Sequence, residues 1–314
     1  MSLSSLIFFF DKLMLINPND NNSAIRDGLV AALMAYLFWG VFPIYFKIID
    51  VVPSEEVFAH RIFWSVPFGL LILYLSKQLD DLWQVFLNKK KIIYLALTSI
   101  LISINWYIYI VAVQTDEILQ ASLGYYINPL MYVLVGILFL GEKLRTGQII
   151  AILIAAIGVL ILTLSAGKLP WISISLATSF TLYGVMRKKI EVSAMVGLFI
   201  ETLFILPFAF MYILALTKNG QLFFSLDKPS MALLLVMAGP LTIFPLFFFS
   251  YAAKRLKLTT IGMMQFLSPS MQFVVALIYG ESLSQASLIC FIFIWIAIIV
   301  FIYDAFEEGA LDSY

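Results

Sequence analysis

The sequence predicts an all-α integral membrane protein of ten transmembrane helices, arranged as two inverted five-helix repeats. Three observations carry this reading. Of 314 residues, 62% are hydrophobic and 12% charged, with a mean hydropathy of +1.01, which leaves too little polar material to clothe a water-exposed surface. The apolar residues fall into ten runs of spanning length, joined by short charged segments. Residues also recur between the two halves of the chain at a near-constant offset of about 140.

The hydrocarbon core of a bilayer is about 30 Å thick and a helix rises about 1.5 Å per residue, so about 20 apolar residues cross it. By that ruler the spans are 28–48, 57–76, 92–113, 118–140, 147–165, 169–186, 193–216, 231–252, 258–279 and 285–304. Lipid offers backbone amides and carbonyls no partner, so each span is expected to be helical. Residues 1–27 read as a cytosolic tail: the apolar stretch Leu6 to Phe10 is too short for a secretory signal, and no Lys or Arg precedes it. The repeats then occupy 28–165 and 169–304, and 305–314 is a second cytosolic tail. The fifth and tenth spans are nearly featureless, and read as peripheral or dimer-forming, so a second copy of the chain joins the lipid bilayer among the candidate partners.

Cytoplasmic loops retain Lys and Arg. With the N-terminus inside, the inner segments hold Lys12, Arg26, Lys77, Lys89, Lys90, Lys91, Lys143, Arg145, Arg187, Lys188, Lys189, Lys254, Arg255 and Lys257. The outer ones hold Lys168, Lys218 and Lys228, with Lys47 at the outer end of the first span. Both termini are therefore expected in the cytosol.

The offset aligns Pro67-Phe68 with Pro207-Phe208, Ala112 with Ala252, Pro129 with Pro269, Met131 with Met271 and Val135 with Val275. A nearly equal shift aligns Gly40-Val41 with Gly184-Val185 and Gly141-Glu142 with Gly280-Glu281. Five helices is an odd number, so the second copy enters the membrane from the opposite face, the arrangement that lets one central site open alternately to each side.

The stretch Ala59-His60-Arg61-Ile62-Phe63-Trp64-Ser65, then Ile104-Asn105-Trp106, then Ala121-Ser122-Leu123-Gly124-Tyr125-Tyr126-Ile127-Asn128-Pro129-Leu130, resembles the RarD branch of the EamA-type permeases, in the drug/metabolite transporter superfamily. The second half is similar to the same branch through Gly239-Pro240-Leu241-Thr242, Pro245-Leu246 and Gln265-Phe266-Leu267-Ser268-Pro269. The resemblance covers about residues 27 to 304 and implies ten helices in two inverted repeats, cytosolic termini, a bacterial cytoplasmic (inner) membrane location, and secondary transport of small metabolites or drugs.

An ionised group at membrane depth costs roughly 2.5 to 3.5 kcal/mol unless it is partnered or wetted, which singles out Arg61 in the second span and Glu201 at the equivalent position of the seventh. The two can pair or can each face a central cavity. Arg61 reads as a planar, bidentate anchor for a substrate carboxylate or phosphate, as one member of a structural ion pair, or as a cation snorkelling outward to the acidic first loop. Glu201 reads as a proton-coupling carboxylate or as a permanently paired one. His60, the single histidine, is a second proton-coupling candidate, and adjacent helix positions about 100° apart keep it from sharing Arg61's direction.

Further substrate-binding candidates come from helical spacing. Trp39 shares a face with Tyr36 and Pro43, and Asn105 lies one turn from Tyr109. Ser122, Tyr125 and Pro129 share one face, with Asn128 beside them, and Gln265, Ser268 and Gln272 share another. Such residues serve equally as cross-helix glue or interface anchors. Pro129, Pro269 and Pro245 are candidate hinges, because a proline frees a carbonyl about one turn earlier.

The formal net charge of zero shows none of the excess of Lys and Arg that a binder of phosphate backbones carries, so nucleic acid is not expected. Cys290 is a lone apolar-run cysteine, there is no GxxxxGK[ST] loop and no HExxH, and one histidine leaves no room for a hydrolytic triad. No metal, cofactor or enzymatic activity is therefore expected. The expected activity is a gradient-driven carrier of a small-molecule substrate, with proton-free exchange as the second carrier reading and a non-transporting receptor or assembly factor as the alternative from another class.

Overall fold

Inside an apolar run the backbone's only partners are its own carbonyls four residues back, and the chain resolves accordingly into helices. The computed structural model describes residues 21–140, 146–167, 169–253, 255–256 and 264–311, among which there are eleven α-helices and no strand. In the N-terminal half these are α1 (Asn21–Ile48), α2 (Ser54–Leu75), α3 (Leu79–Leu87), α4 (Lys89–Gln114), α5 (Ile118–Leu140) and α6 (Thr146–Ala166). In the C-terminal half they are α7 (Trp171–Lys188), α8 (Ala194–Lys218), α9 (Pro229–Ala253), α10 (Leu267–Ile278) and α11 (Gln285–Leu311). Five stretches, Ile25–Ile48, Ser54–Leu75, Lys89–Gln114, Ala194–Lys218 and Pro229–Ala252, are long and apolar enough to cross a membrane.

Local chemistry fixes several boundaries. Asn88 caps α4 by accepting from the Lys91 amide at 3.1 Å, and Ser193 caps α8 by accepting from Val196 at 3.3 Å. Where helices touch, glycine sets the approach: a Cβ on Gly239 of α9 would lie 2.5 Å from the carbonyl of Trp64 in α2. The two halves interleave. α1 packs on α9 and α10, α7 on α4 and α5, α2 on α8 and α9, α4 on α8, α5 on α10, and α6 along α11.

Side-chain bonds gather the connections into two groups. In one, Lys47 meets Asp116, Gln114 donates to the carbonyls of Ile49 and Val52, Glu56 accepts from the amides of Phe223 and Phe224, and Glu281 accepts from those of Ile118 and Leu119. In the other, Lys91 donates to the Glu191 carbonyl and Ser193 to Gln78.

Several expectations are revised. The segment 77–91 is not a plain loop: α3 lies within it, burying Leu82 and Val85 and exposing Trp83 and Leu87, an amphipathic turn too short for the spanning ruler to register. Helix starts ahead of the first span, at Asn21, and continues to Leu311 past the last, into residues expected as tails. The ninth span is not one helix over 258–279, since Gln265 and Phe266 form a turn and α10 begins at Leu267. Pro269 thus occupies the first turn of α10, where a missing amide is tolerated, rather than a mid-helix break. α5 and α9 run on through positions 129 and 245 as helix. The fifth and tenth spans are partners of each other, and a Cβ on Gly158 would sit 2.7 Å from that of Phe293. Residues 1–20, Gly141, Glu142, Lys143, Arg145, Lys168, Lys254, Lys257 and the side chains of Pro129 and Lys188 lie outside the described residues.

Candidate functional site

Arg61 is 4% exposed, and α2 delivers it to a junction with α1, α4 and α9. Its Nε donates to Thr242 Oγ1 at 2.8 Å, and its guanidinium carbon lies 4.3 Å from the ring centre of Trp106, with Phe42 at 5.8 Å and Phe46 at 5.9 Å. Ring faces carry negative quadrupole density, so this cage softens the desolvation of a cation without neutralising it. Among the described residues no carboxylate lies within ion-pair distance of Arg61.

A polar string starts from a phenol. Tyr125 donates to Asn105 Oδ1 at 3.2 Å, and Asn105 Nδ2 donates to the Leu176 carbonyl at 3.0 Å and to Ser179 at 3.1 Å, joining α5, α4 and α7. The Tyr109 ring meets Tyr125 at 5.7 Å and Phe46 at 6.0 Å, while its hydroxyl is sealed without a hydrogen-bond partner. Arg61, Tyr109, Tyr125 and Asn105 therefore form one cluster.

The other sequence candidates lie elsewhere. Ser122 is consumed by the Pro269 carbonyl at 2.8 Å, knitting α5 to α10. Asn128 is buried with neither amide atom partnered. Trp39 packs between Tyr36 and Phe249, and its carbonyl accepts from Gln272 at 3.0 Å. Gln265 is half-buried in its turn, and Ser268 is buried at the start of α10.

Glu201 does not meet Arg61. Its Oε1 lies 3.5 Å from Arg187 Nε and accepts from Thr98 at 2.6 Å, and its Oε2 accepts from Tyr183 at 3.1 Å, so the buried carboxylate is fully engaged. The Arg187 guanidinium reaches it over Gly197, where a Cβ would lie 2.2 Å from both terminal nitrogens. His60 faces a different neighbourhood: Nδ1 accepts from Trp64 at 3.2 Å, Nε2 lies 3.7 Å from Glu56 Oε1, and the ring stacks on Phe224 at 5.3 Å. Because Nδ1 accepts, neutral His60 carries its proton on Nε2, which is buried without a hydrogen-bond partner among the described residues.

Sequence reasoning missed Thr242, Thr98, Tyr183, Arg187 and Glu56. Thr242 and Trp106 stand in the family-like motifs, which was the available signal. Arg187 was counted as a loop charge although only 12% of its side chain is exposed.

Residues 26–164 match the EamA-like transporter family. The chain is 40% identical over 281 residues to protein RarD of Escherichia coli, covering 89% of this chain and 95% of that one. It is 41% identical over 297 residues to a protein called an uncharacterized transporter in Vibrio cholerae, covering 94% and 98%. It is 29% identical over 284 residues to the chloramphenicol-sensitive protein RarD of Pseudomonas aeruginosa, covering 89% and 94%. One solved crystal structure shares the fold, with a TM-score of 0.55 at 19% identity over 87% of this chain and 96% of that one. Apolar helices of spanning length and bacterial transporter relatives make the molecule a multi-pass transporter of the bacterial inner membrane. Matched over residues 26–164 by that family model and over most of its length by RarD relatives, the chain belongs to the EamA-like transporter family, as a RarD-type permease.

Proposed function

We propose that this chain is a secondary active transporter of small molecules that works by alternating access around Arg61, between two inverted five-helix repeats. The observation that carries the reading is a buried cation without a carboxylate partner among the described residues, held by α1, α2 and α4 from one half and α9 from the other. Such a group is costly at membrane depth and marks a substrate pathway.

The repeat is supported by the packing. Exchanging α1, α2, α4, α5 and α6 for α7, α8, α9, α10 and α11 maps the principal contacts between the halves onto themselves: α1 with α9 becomes α7 with α4, and α2 with α8 returns to itself. The grouping of the connections supports the topology. Gln78 and Lys91 share one end with Glu191 and Ser193, the lysine-rich end that is cytosolic by the charge rule. On this reading the chain has ten spans with both termini inside.

The site comprises Arg61, Asn105, Tyr109 and Tyr125; on this reading Trp39, Ser122, Asn128, Gln265 and Ser268, which lie outside that cluster, join it only as the helices rearrange, with Pro129, Pro245 and Pro269 as the proposed hinges. His60 or Glu201 carries a coupling proton. A second reading, exchange without protons, is favoured by the full engagement of Glu201 with Arg187, Thr98 and Tyr183. Uptake of a labelled metabolite panel into proteoliposomes, with and without a pH gradient, separates the two. Gradient-stimulated uptake supports coupling, counterflow alone supports exchange, and no movement of any compound contradicts both.

A further inference from the structure

Guanidinium groups bind carboxylates through either of two forks: side-on through Nε and one Nη, or end-on through the two Nη nitrogens. In Arg61 the first fork is closed, because Nε already donates to Thr242 at 2.8 Å, and the Trp106 ring 4.3 Å from the guanidinium carbon covers one face. What remains is the terminal edge, whose two nitrogens point in parallel. In the same cluster stands a second polar group in want of a partner, the sealed hydroxyl of Tyr109, whose ring packs on Phe46 as the Arg61 guanidinium does. A cation's donors and a free phenol together call for an acceptor-rich, negatively charged group. The walls around them are Phe42, Phe46, Trp106 and Tyr125, which suit an apolar or flat body. For an ammonium group the same surroundings offer no carboxylate among the described residues: Glu201 is held by Arg187, and Glu56 accepts from the amides of Phe223 and Phe224.

We infer that the substrate is a small organic carboxylate with an apolar or aromatic body and no compensating ammonium, bound end-on to Arg61 with Tyr109 donating to the same carboxylate. This deepens the transporter reading and rests on it, but it is tested by binding alone.

Three probes of nearly the same shape differ in charge: 3-phenylpropionate is an anion, 3-phenylpropanamide is neutral, and phenylalanine adds an ammonium to the acid. Binding to the purified full chain is read by thermal shift and by displacement of radiolabelled 3-phenylpropionate. The acid is expected to bind at least tenfold more tightly than either analogue. Arg61→Met is expected to erase that preference, and Arg61→Lys, which keeps the charge and loses the fork, to retain only part of it. Should Arg61→Met fail to fold, Arg61→Lys and Tyr109→Phe carry the test, each lowering acid binding several-fold while leaving amide binding unchanged. A merely structural arginine would change stability and leave the acid-to-amide ratio untouched. Equal binding of acid and amide, binding of none of the three, phenylalanine binding as tightly as the acid, or a ratio that ignores Arg61 overturns the inference. Liposomes that move no compound under any gradient would instead remove the transporter reading, with the acid preference still decided by the binding data.

Discussion

Arg61 and Glu201, 140 residues apart, each hydrogen-bond a threonine of the opposite half: Arg61 of α2 donates to Thr242 of α9 at 2.8 Å, and Glu201 of α8 accepts from Thr98 of α4 at 2.6 Å. The two threonines also stand at nearly the same offset as the charges they serve. What differs is the third partner. Glu201 has Arg187, whereas Arg61 has aromatic rings, so one of two equivalent charges is neutralised and the other is not.

That asymmetry sets the cost of breaking the Glu201 cluster. Glu201→Leu strands Arg187 largely buried, and the expected loss of stability is about 3 to 5 kcal/mol, most of it recovered in the double variant with Arg187→Leu. Chemical denaturation in detergent micelles reads both. A double variant as unstable as the single one would show that the pair is not coupled.

Gly197 offers a gentler perturbation. Its Cβ would push on the far end of a flexible side chain, so Gly197→Ala is expected to loosen Arg187 from Glu201 without removing either charge, for a loss of about 1 to 3 kcal/mol. Gradient-driven uptake then falls and counterflow persists if Glu201 carries the coupling proton. Uptake and counterflow falling together would make the pair a structural clamp.

The all-helical membrane class and the burial of Arg61 and Glu201 were legible in the sequence, because bilayer thickness and desolvation cost act on any chain regardless of its partners. Pairing was not legible. Thr242 and Thr98 reach their charges across more than 100 residues, and no local period encodes such a contact. The α3 helix escaped because Leu79–Leu87 is nine residues long and carries acids in its first turn. The turn at Gln265 and Phe266 escaped because Pro269 marks a helix start as readily as a kink.

Asn128 is buried at 0% exposure with both amide atoms unpartnered. A residue kept only for packing would have been better as leucine, so Asn128→Leu is expected to stabilise the fold by about 1 to 3 kcal/mol and to lower transport. Melting temperature and uptake measured on the same preparation check this. Higher stability with unaltered uptake would remove Asn128 from the site's walls.

Glu56 holds the segment ahead of α9 through its Oε1, which accepts from Phe223 at 2.8 Å and Phe224 at 3.3 Å. Glu56→Ala leaves two amides unmet, for an expected cost of about 1 to 3 kcal/mol and faster proteolysis between residues 219 and 228. Cleavage at the wild-type rate would contradict the latch.

Glu281, between α10 and α11, has its carboxyl pushed above the usual range by burial, against the opposing pull of the Leu119 and Ile118 amides. A raised carboxyl binds more protons folded than unfolded, so stability falls as pH rises from the unfolded carboxylate value through the folded one. Melting temperature is expected to decline across that window, and Glu281→Gln to flatten the decline. An identical pH profile in the variant would assign the dependence elsewhere.

The central claim is that the Arg61 pocket opens to each face of the membrane in turn. Thr242→Cys in a Cys290→Ala background, treated with a membrane-impermeant thiol reagent in right-side-out and inside-out vesicles, tests it directly. Labelling from both faces, slowed by a bound carboxylate, is the predicted result. Labelling from one face alone, or from neither while the denatured protein labels fully, would contradict it.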